Sequence, residues 1–197
     1  MLALSTSWNT AFSRSGTQVI EEIKKLGFNF LELGFSHTKA QLTQILKAKD
    51  IHVVSLHNYC PIPERLKQSK ALPDSYSLSS PDSAERKSAL SFTKRTIRYA
   101  KKLKAGAVIL HCGRVQTPDY TRQLCCLKRD KQSAGEFESL KIRAIKEREQ
   151  KKTIFLDQIF LSLKELADFA HNEGIFLGIE NRIYIREIPN FSEIQMI

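Results

Sequence analysis

The sequence has no Cys-x-x-Cys pair, no apolar run near the roughly 20 residues of a membrane span, and no basic opening followed by a long apolar stretch. With no secretory context, Cys60, Cys112, Cys125 and Cys126 are read as reduced thiols, and the vicinal Cys125 and Cys126 as packing residues rather than a soft-metal site. The opening Met1-Leu2-Ala3-Leu4-Ser5-Thr6 is read as no signal peptide, so the expectation is a soluble, cytoplasmic protein with no membrane partner. Low-complexity tracts and solenoid-scale repeats are missing too. Acidic residues are the scarcer charge: 21 Asp and Glu face 31 Lys and Arg, for a net charge of +10. A basic excess suits nucleic acid, anionic metabolites or a solvated surface. It concentrates in two places. Lys94, Arg95, Arg98, Lys101, Lys102 and Lys104 form a run with no acid among them, and residues 122–152 hold ten basic and five acidic residues.

What is present is an ordinary globular balance, 42% hydrophobic and 26% charged over 197 residues. Ile, Leu, Val and Phe recur at regular spacing, which excludes disorder as the main state. Five short apolar runs read as strands: 2–8, 28–35, 52–59, 107–115 and 176–181. Helical periodicity separates them. Residues 15–26 carry Val19, Ile20, Ile23 and Leu26 on one stripe, with Gly27 as the stop. Residues 38–49 open on a Thr38-x-x-Gln41 capping box. A third helix opens at Ser80-Pro81-Asp82, with Pro81 at its first position, and runs to about Leu103. A fourth covers about 153–172, with Phe155, Ile159, Leu163, Leu166 and Ala170 inward. Strands alternating with helices imply an α/β fold of parallel βαβ units with right-handed crossovers.

Two insertions break the rhythm, a Pro- and Ser-rich loop at 61–80 and a stretch at 116–152 with one charged helix expected from Ala134 onward. Both follow a strand, on the side of the sheet where α/β proteins build active sites. The expectation is a single domain over residues 1–197, either an open five-stranded sheet or about five of the eight βα units of a TIM barrel.

Strand side chains alternate between faces, so each run divides by parity. Leu31, Leu33, Val54, Leu56, Val108, Leu110, Leu177 and Ile179 are large and aliphatic. The opposite parity carries Glu32, Gly34, Val53, Ser55, His57, Ala107, Ile109, His111, Gly178 and Glu180, small or polar for the most part and ionisable at the carboxyl ends. An open doubly wound sheet is aliphatic on both faces, whereas a barrel interior is polar near its mouth. Glu32, His57, His111 and Glu180 therefore converge on one mouth, and imidazoles with carboxylates suit Zn²⁺ or Mn²⁺, less clearly Mg²⁺. Glu180 stands out as a carboxylate inside an apolar strand, costly to bury unless paired or metal-bound. His37 is placed within reach of the mouth as a weaker candidate, while His52 and His171 are read as surface residues.

Gly27-Phe28-Asn29-Phe30-Leu31-Glu32-Leu33, Ser55-Leu56-His57-Asn58-Tyr59, Val108-Ile109-Leu110-His111-Cys112-Gly113 and Gly178-Ile179-Glu180-Asn181-Arg182 resemble the xylose isomerase-like TIM-barrel superfamily, as does Ser79-Ser80-Pro81-Asp82 before a long helix. That group includes sugar phosphate isomerases and epimerases and the endonuclease IV type of apurinic-site nuclease. The resemblance covers nearly the whole chain in order. It implies a divalent-metal site with Glu180, His111 and His57 as ligands, Glu180 as the catalytic carboxylate, and Glu32, Asn181 and Arg182 around the substrate. Ligands that the family draws from strands six to eight have no counterpart, so the chain resembles an N-terminal five-eighths of the barrel.

The leading expectation is a metal-dependent isomerase or epimerase of a sugar or sugar phosphate, moving a proton at a carbon next to a carbonyl. An apurinic-site endonuclease acting on DNA is the alternative, favoured by the charge and by the insertion at 122–152. A third reading is an inactive fragment or a homo-oligomer joined through its open edge strands. A Cys112 nucleophile is disfavoured, because the adjacent His111 points to the opposite face.

Overall fold

The computed structural model describes residues 2–9, 15–128 and 134–196. Five parallel strands lie side by side in chain order: β1 (Leu4–Ser5), β2 (Phe30–Leu33), β3 (His52–His57), β4 (Ala107–Leu110) and β5 (Phe176–Ile179). Right-handed crossovers between strands that never reverse their order put the crossover helices on one face. That is an arc of a TIM-type barrel, not a doubly wound sheet.

The covered face is the aliphatic one. Leu31, Leu33, Leu56, Val108 and Leu110 are fully buried, and they form one cluster with Val19, Ile23, Leu42, Ile45, Ile97, Ile159 and Leu166 from the helices. The opposite face carries Glu32, Ser55, Ala107, Ile109 and Gly178, all only partly buried. A one-residue slip corrects the parity of β3. Leu31 pairs with Val53 but Glu32 with Ser55, so Val54 is the extra residue and Val53 packs toward the core with Leu31. Ser55 and His57 keep the open face.

The strands stop earlier than the apolar runs. The segment at 2–8 yields a two-residue strand and then a 3₁₀ turn over Thr6–Trp8. His57 is the last residue of β3, whereas His111 and Glu180 lie just beyond β4 and β5.

Helix α1 (Gly16–Lys25) is capped by Ser15 and α2 (Lys39–Ile45) by Thr38, each through a complete capping box. Gly27, at φ +82°, ends the turn after α1, a conformation that glycine adopts without strain. Helix α3 (Ser83–Lys102) begins later than expected. Asp82 is its cap, accepting from the Ala84 N–H at 2.9 Å, so Pro81 lies before the helix rather than inside it. The insertion at 116–152 holds α4 (Tyr120–Leu127) and the first half of α5 (Ala134–Glu173), and residues 129–133 of that basic stretch lie outside the described residues. The two helices expected from Ala134 and from residue 153 are one continuous helix of 40 residues. A short helix, α6 (Phe191–Ile194), follows β5 and is tied to α5. The Arg148 guanidinium donates to both carboxylate oxygens of Glu193, at 2.8 and 2.7 Å, with both side chains almost fully buried. The loop at 61–80 is irregular apart from one 3₁₀ turn at Gln68–Lys70.

Candidate functional site

Three neighbouring strand ends deliver His57, His111 and Glu180 to one spot. Their nearest ligand atoms lie within 4.8 Å of one another. His57 Nε2 is 3.4 Å from Glu180 Oε2, and the two imidazoles lie tilted, with centroids 4.9 Å apart. Phe35, from the loop after β2, closes edge-on over His57 at 5.5 Å. His57 Nδ1 is 3.1 Å from the Asn58 carbonyl, which fixes the ring and leaves Nε2 toward Glu180. Burial, followed by the neighbouring His57 and Arg182, pushes the His111 pKa down to about 4 against the pull of Glu180. His111 is therefore neutral at pH 7, and its buried Nδ1 has no hydrogen-bond partner among the described residues.

Glu180 departs from expectation in its burial. Its side chain is 53% exposed, because it sits past the end of β5 on the face that no helix covers. The desolvation argument that singled it out does not apply, yet the position does. Glu32 sits on the same face one strand beyond β3, accepting from Ser55 Oγ at 3.0 Å, and is not part of the three-residue cluster. His37 does not reach the mouth. It is fully buried, 2.6 Å from Thr6 Oγ1 through Nε2, and burial lowers its pKa to about 4. His52 and His171 are exposed as expected, although His52 also packs on Phe30. Burial raises the Cys112 thiol to about 12, which removes it as a nucleophile at neutral pH.

Asn181 and Arg182 serve the loops around the cluster. Asn181 Nδ2 donates to the Pro189 carbonyl at 2.5 Å. Arg182 Nη2 donates to Asp74 Oδ2 at 2.8 Å, and its Nε to Glu187 Oε1 at 2.6 Å. Asp74, with 1% of its side chain exposed, also takes Arg114 Nε at 2.5 Å. Burial alone would raise the Asp74 carboxyl, but the hydrogen bonds from Arg114 and Arg182 outweigh it and hold the pKa below the usual value. One carboxylate thus ties the loops after β3, β4 and β5 together. Gly113, at φ +124°, lets the loop after β4 pass close to the loop after β3: a Cβ there would stand 2.1 Å from Ser77 Oγ. Asp74 escaped the sequence reading. It lies in an irregular Pro- and Ser-rich loop, and its partners are 40 and 108 residues away.

The basic surfaces are partly neutralised within the chain. Lys94 pairs with Glu165 and Lys101 with Glu173, both at 2.7 Å, so these two cations of the acid-free run face α5. In the insertion, Lys151 pairs with Glu147 at 2.7 Å and Lys152 with Glu149 at 2.5 Å.

Against known proteins, the xylose isomerase-like TIM barrel family matches residues 20–184. No curated protein matches the sequence. Among solved structures, an L-ribulose 3-epimerase superposes with a TM-score of 0.59 at 14% identity, over 98% of this chain and 54% of its own. A D-psicose 3-epimerase, solved in the presence of D-fructose, gives 0.56 at 21%, over 98% and 57%. A D-allulose 3-epimerase from Methylomonas sp. gives 0.57 at 12%, over 99% and 57%. The chain spans about half the length of these structures.

Proposed function

This chain belongs to the xylose isomerase-like TIM barrel family, and from that premise we propose that it serves a divalent-metal sugar isomerase or epimerase. The observation that carries the reading is the convergence of His57, His111 and Glu180 from three separate strand ends, with donor atoms within 4.8 Å. The residues fit such an ion. Two imidazoles and a carboxylate suit Zn²⁺ or Mn²⁺ better than Mg²⁺, which favours an all-oxygen shell. His111 is neutral and has a ring nitrogen with no partner among the described residues, as a ligand requires.

A bound ion would supply Lewis acidity toward the carbonyl and neighbouring hydroxyl oxygens of the sugar. Glu180, half-exposed on the open face, moves the proton at the carbon next to the carbonyl. Phe35 and His57 present an edge-packed wall beside the cluster. Glu32 and Asn181 offer hydrogen-bonding groups to sugar hydroxyls, and Arg182 frames the pocket. Because Asp74 and Glu187 already occupy the Arg182 guanidinium, a neutral ketose fits better than a phosphate ester. The solved relatives, 3-epimerases of ketoses by name, support the same substrate class. The unpaired edges of β1 and β5 support self-association, and a cytoplasmic location agrees with the reduced cysteines.

The test is calorimetric titration with Mn²⁺, Co²⁺ and Zn²⁺, followed by NMR of D-fructose in D₂O with the loaded protein. Binding in the micromolar range is expected, with deuterium entering at C3, and Glu180→Gln should remove both. Absence of heat with all three ions, or binding left intact by Glu180→Gln, would refute the site.

A further inference from the structure

The acid-free basic run of α3 has two sides, and only one is neutralised. Toward α5, Lys94 and Lys101 pair with Glu165 and Glu173, and the Arg98 guanidinium stacks 5.0 Å above the Phe169 ring. Toward α2, Arg95, Arg98 and Lys102 line a groove of about 470 Å³ on the outer face of the arc. None of the residues of the His57 cluster lines it.

The floor of this groove is apolar, made by Leu42, Pro61 and Tyr99. Its one carboxylate, Glu64, is held by Lys39 at 2.6 Å, so those two charges cancel, and Arg95, Lys102 and the rim residue Arg98, whose guanidinium leans on Phe169, remain along the space. Arg95 is fixed in place. Its Nη2 donates to the Pro61 carbonyl at 2.5 Å and its guanidinium lies 5.1 Å from the Phe92 ring, while its buried Nε has no partner among the described residues. The volume lies within the range of sites for small molecules, roughly 300–1,000 Å³. Guanidinium forks and an ammonium within two helical turns match phosphate oxygens in charge and geometry. A flat ring stacks well on a tyrosine flanked by arginine.

We propose that this groove binds a nucleoside phosphate, its base against Tyr99, Pro61 and Leu42 and its phosphates on Arg95, Arg98 and Lys102. Such a site is separate from the mouth and independent of any chemistry there. The apolar floor distinguishes the ligand from a bare polyanion.

Fluorescence anisotropy of a fluorescent ATP analogue, at low and at physiological salt, tests this on the intact protein. Saturable binding is expected, with ATP displacing the probe better than tripolyphosphate or adenosine alone. The pair Arg98→Glu with Lys102→Glu should weaken binding by at least about tenfold. The pair Lys94→Glu with Lys101→Glu carries the same charge change on the other side of the helix and should leave affinity within about twofold. Lys102→Glu alone, at an exposed position, guards against a folding defect in the Arg98 variant and should weaken binding by itself. No saturable binding would overturn the proposal, and equal loss in both charge-reversal pairs would reduce it to net charge. Displacement by tripolyphosphate as readily as by ATP would remove the nucleoside, and preferential displacement by duplex DNA would make the face a nucleic-acid surface.

Discussion

At His37 the structure places an imidazole with no exposed surface and no acid beside it, its Nε2 on Thr6 Oγ1, which also accepts the Gly34 N–H at 2.8 Å. Burial keeps it neutral down to about pH 4, whereas in the unfolded chain it takes a proton near 6.5. Between those values the unfolded state binds more protons, so stability falls as pH is lowered from 6.5 toward 4, by about 3 kcal/mol from this residue. Urea unfolding of the protein and of His37→Gln at pH 7.5 and pH 4.5 measures the difference. The variant should lose less stability on acidification, and equal slopes would contradict the assignment. The same residue marks a limit of parity. Its place just after β2 put it near the mouth, but which way a loop side chain turns depends on a threonine 31 residues earlier. His57, His111 and Glu180 were legible because each keeps the alternation of its strand, His57 as the last residue of β3 and the other two just beyond β4 and β5. Asp74 was not, since nothing local distinguishes an aspartate awaiting two distant arginines from one in water.

Among the elements, α5 departs furthest from the sequence reading. Glu149-Gln150-Lys151-Lys152-Thr153 contains neither Gly nor Pro, so nothing breaks the hydrogen-bond ladder between the charged segment and the apolar stripe that follows. Periodicity found the two halves because their inward faces differ, and it missed their continuity for the same reason. The strand order and the buried aliphatic face were readable throughout, whereas the slip at Val54 was not: a bulge leaves no mark on a run of Val and Ser. Arg148 is the residue that anchors the first half of α5, through Glu193 and the Glu187 carbonyl at 2.7 Å. Arg148→Met should cost about 3 kcal/mol, because it leaves the Glu193 carboxylate buried with only Lys152, at 3.5 Å, as a cationic partner. Denaturant unfolding reads the loss directly, and a change below about 0.5 kcal/mol would mean that α6 simply releases the carboxylate to water.

For the whole molecule, β1 and β5 are the two strands without an outer neighbour among the described residues. Phe176 opens β5 at 81% exposure, and Leu177 and Ile179 beside it are only partly covered. Unpaired edges with apolar side chains recruit further strands. Light scattering should therefore report a mass that rises with protein concentration, and Phe176→Lys should shift that rise to higher concentration. A constant monomer mass for both proteins would show that the edge is inert. The length of α5, about 60 Å at 1.5 Å per residue, gives the molecule a further property. Its second half is pressed to the sheet by Phe155, Leu156, Ile159, Leu163, Leu166 and Ala170, while its first half buries only Ala144 and Arg148. One helix thus spans two kinetic regimes. In deuterium exchange, amides from 155 to 170 should open only when the whole arc unfolds, and those from 138 to 147 should exchange far sooner through local fraying. The boundary between slow and fast amides would then fall inside an unbroken helix, at the turn that holds Arg148.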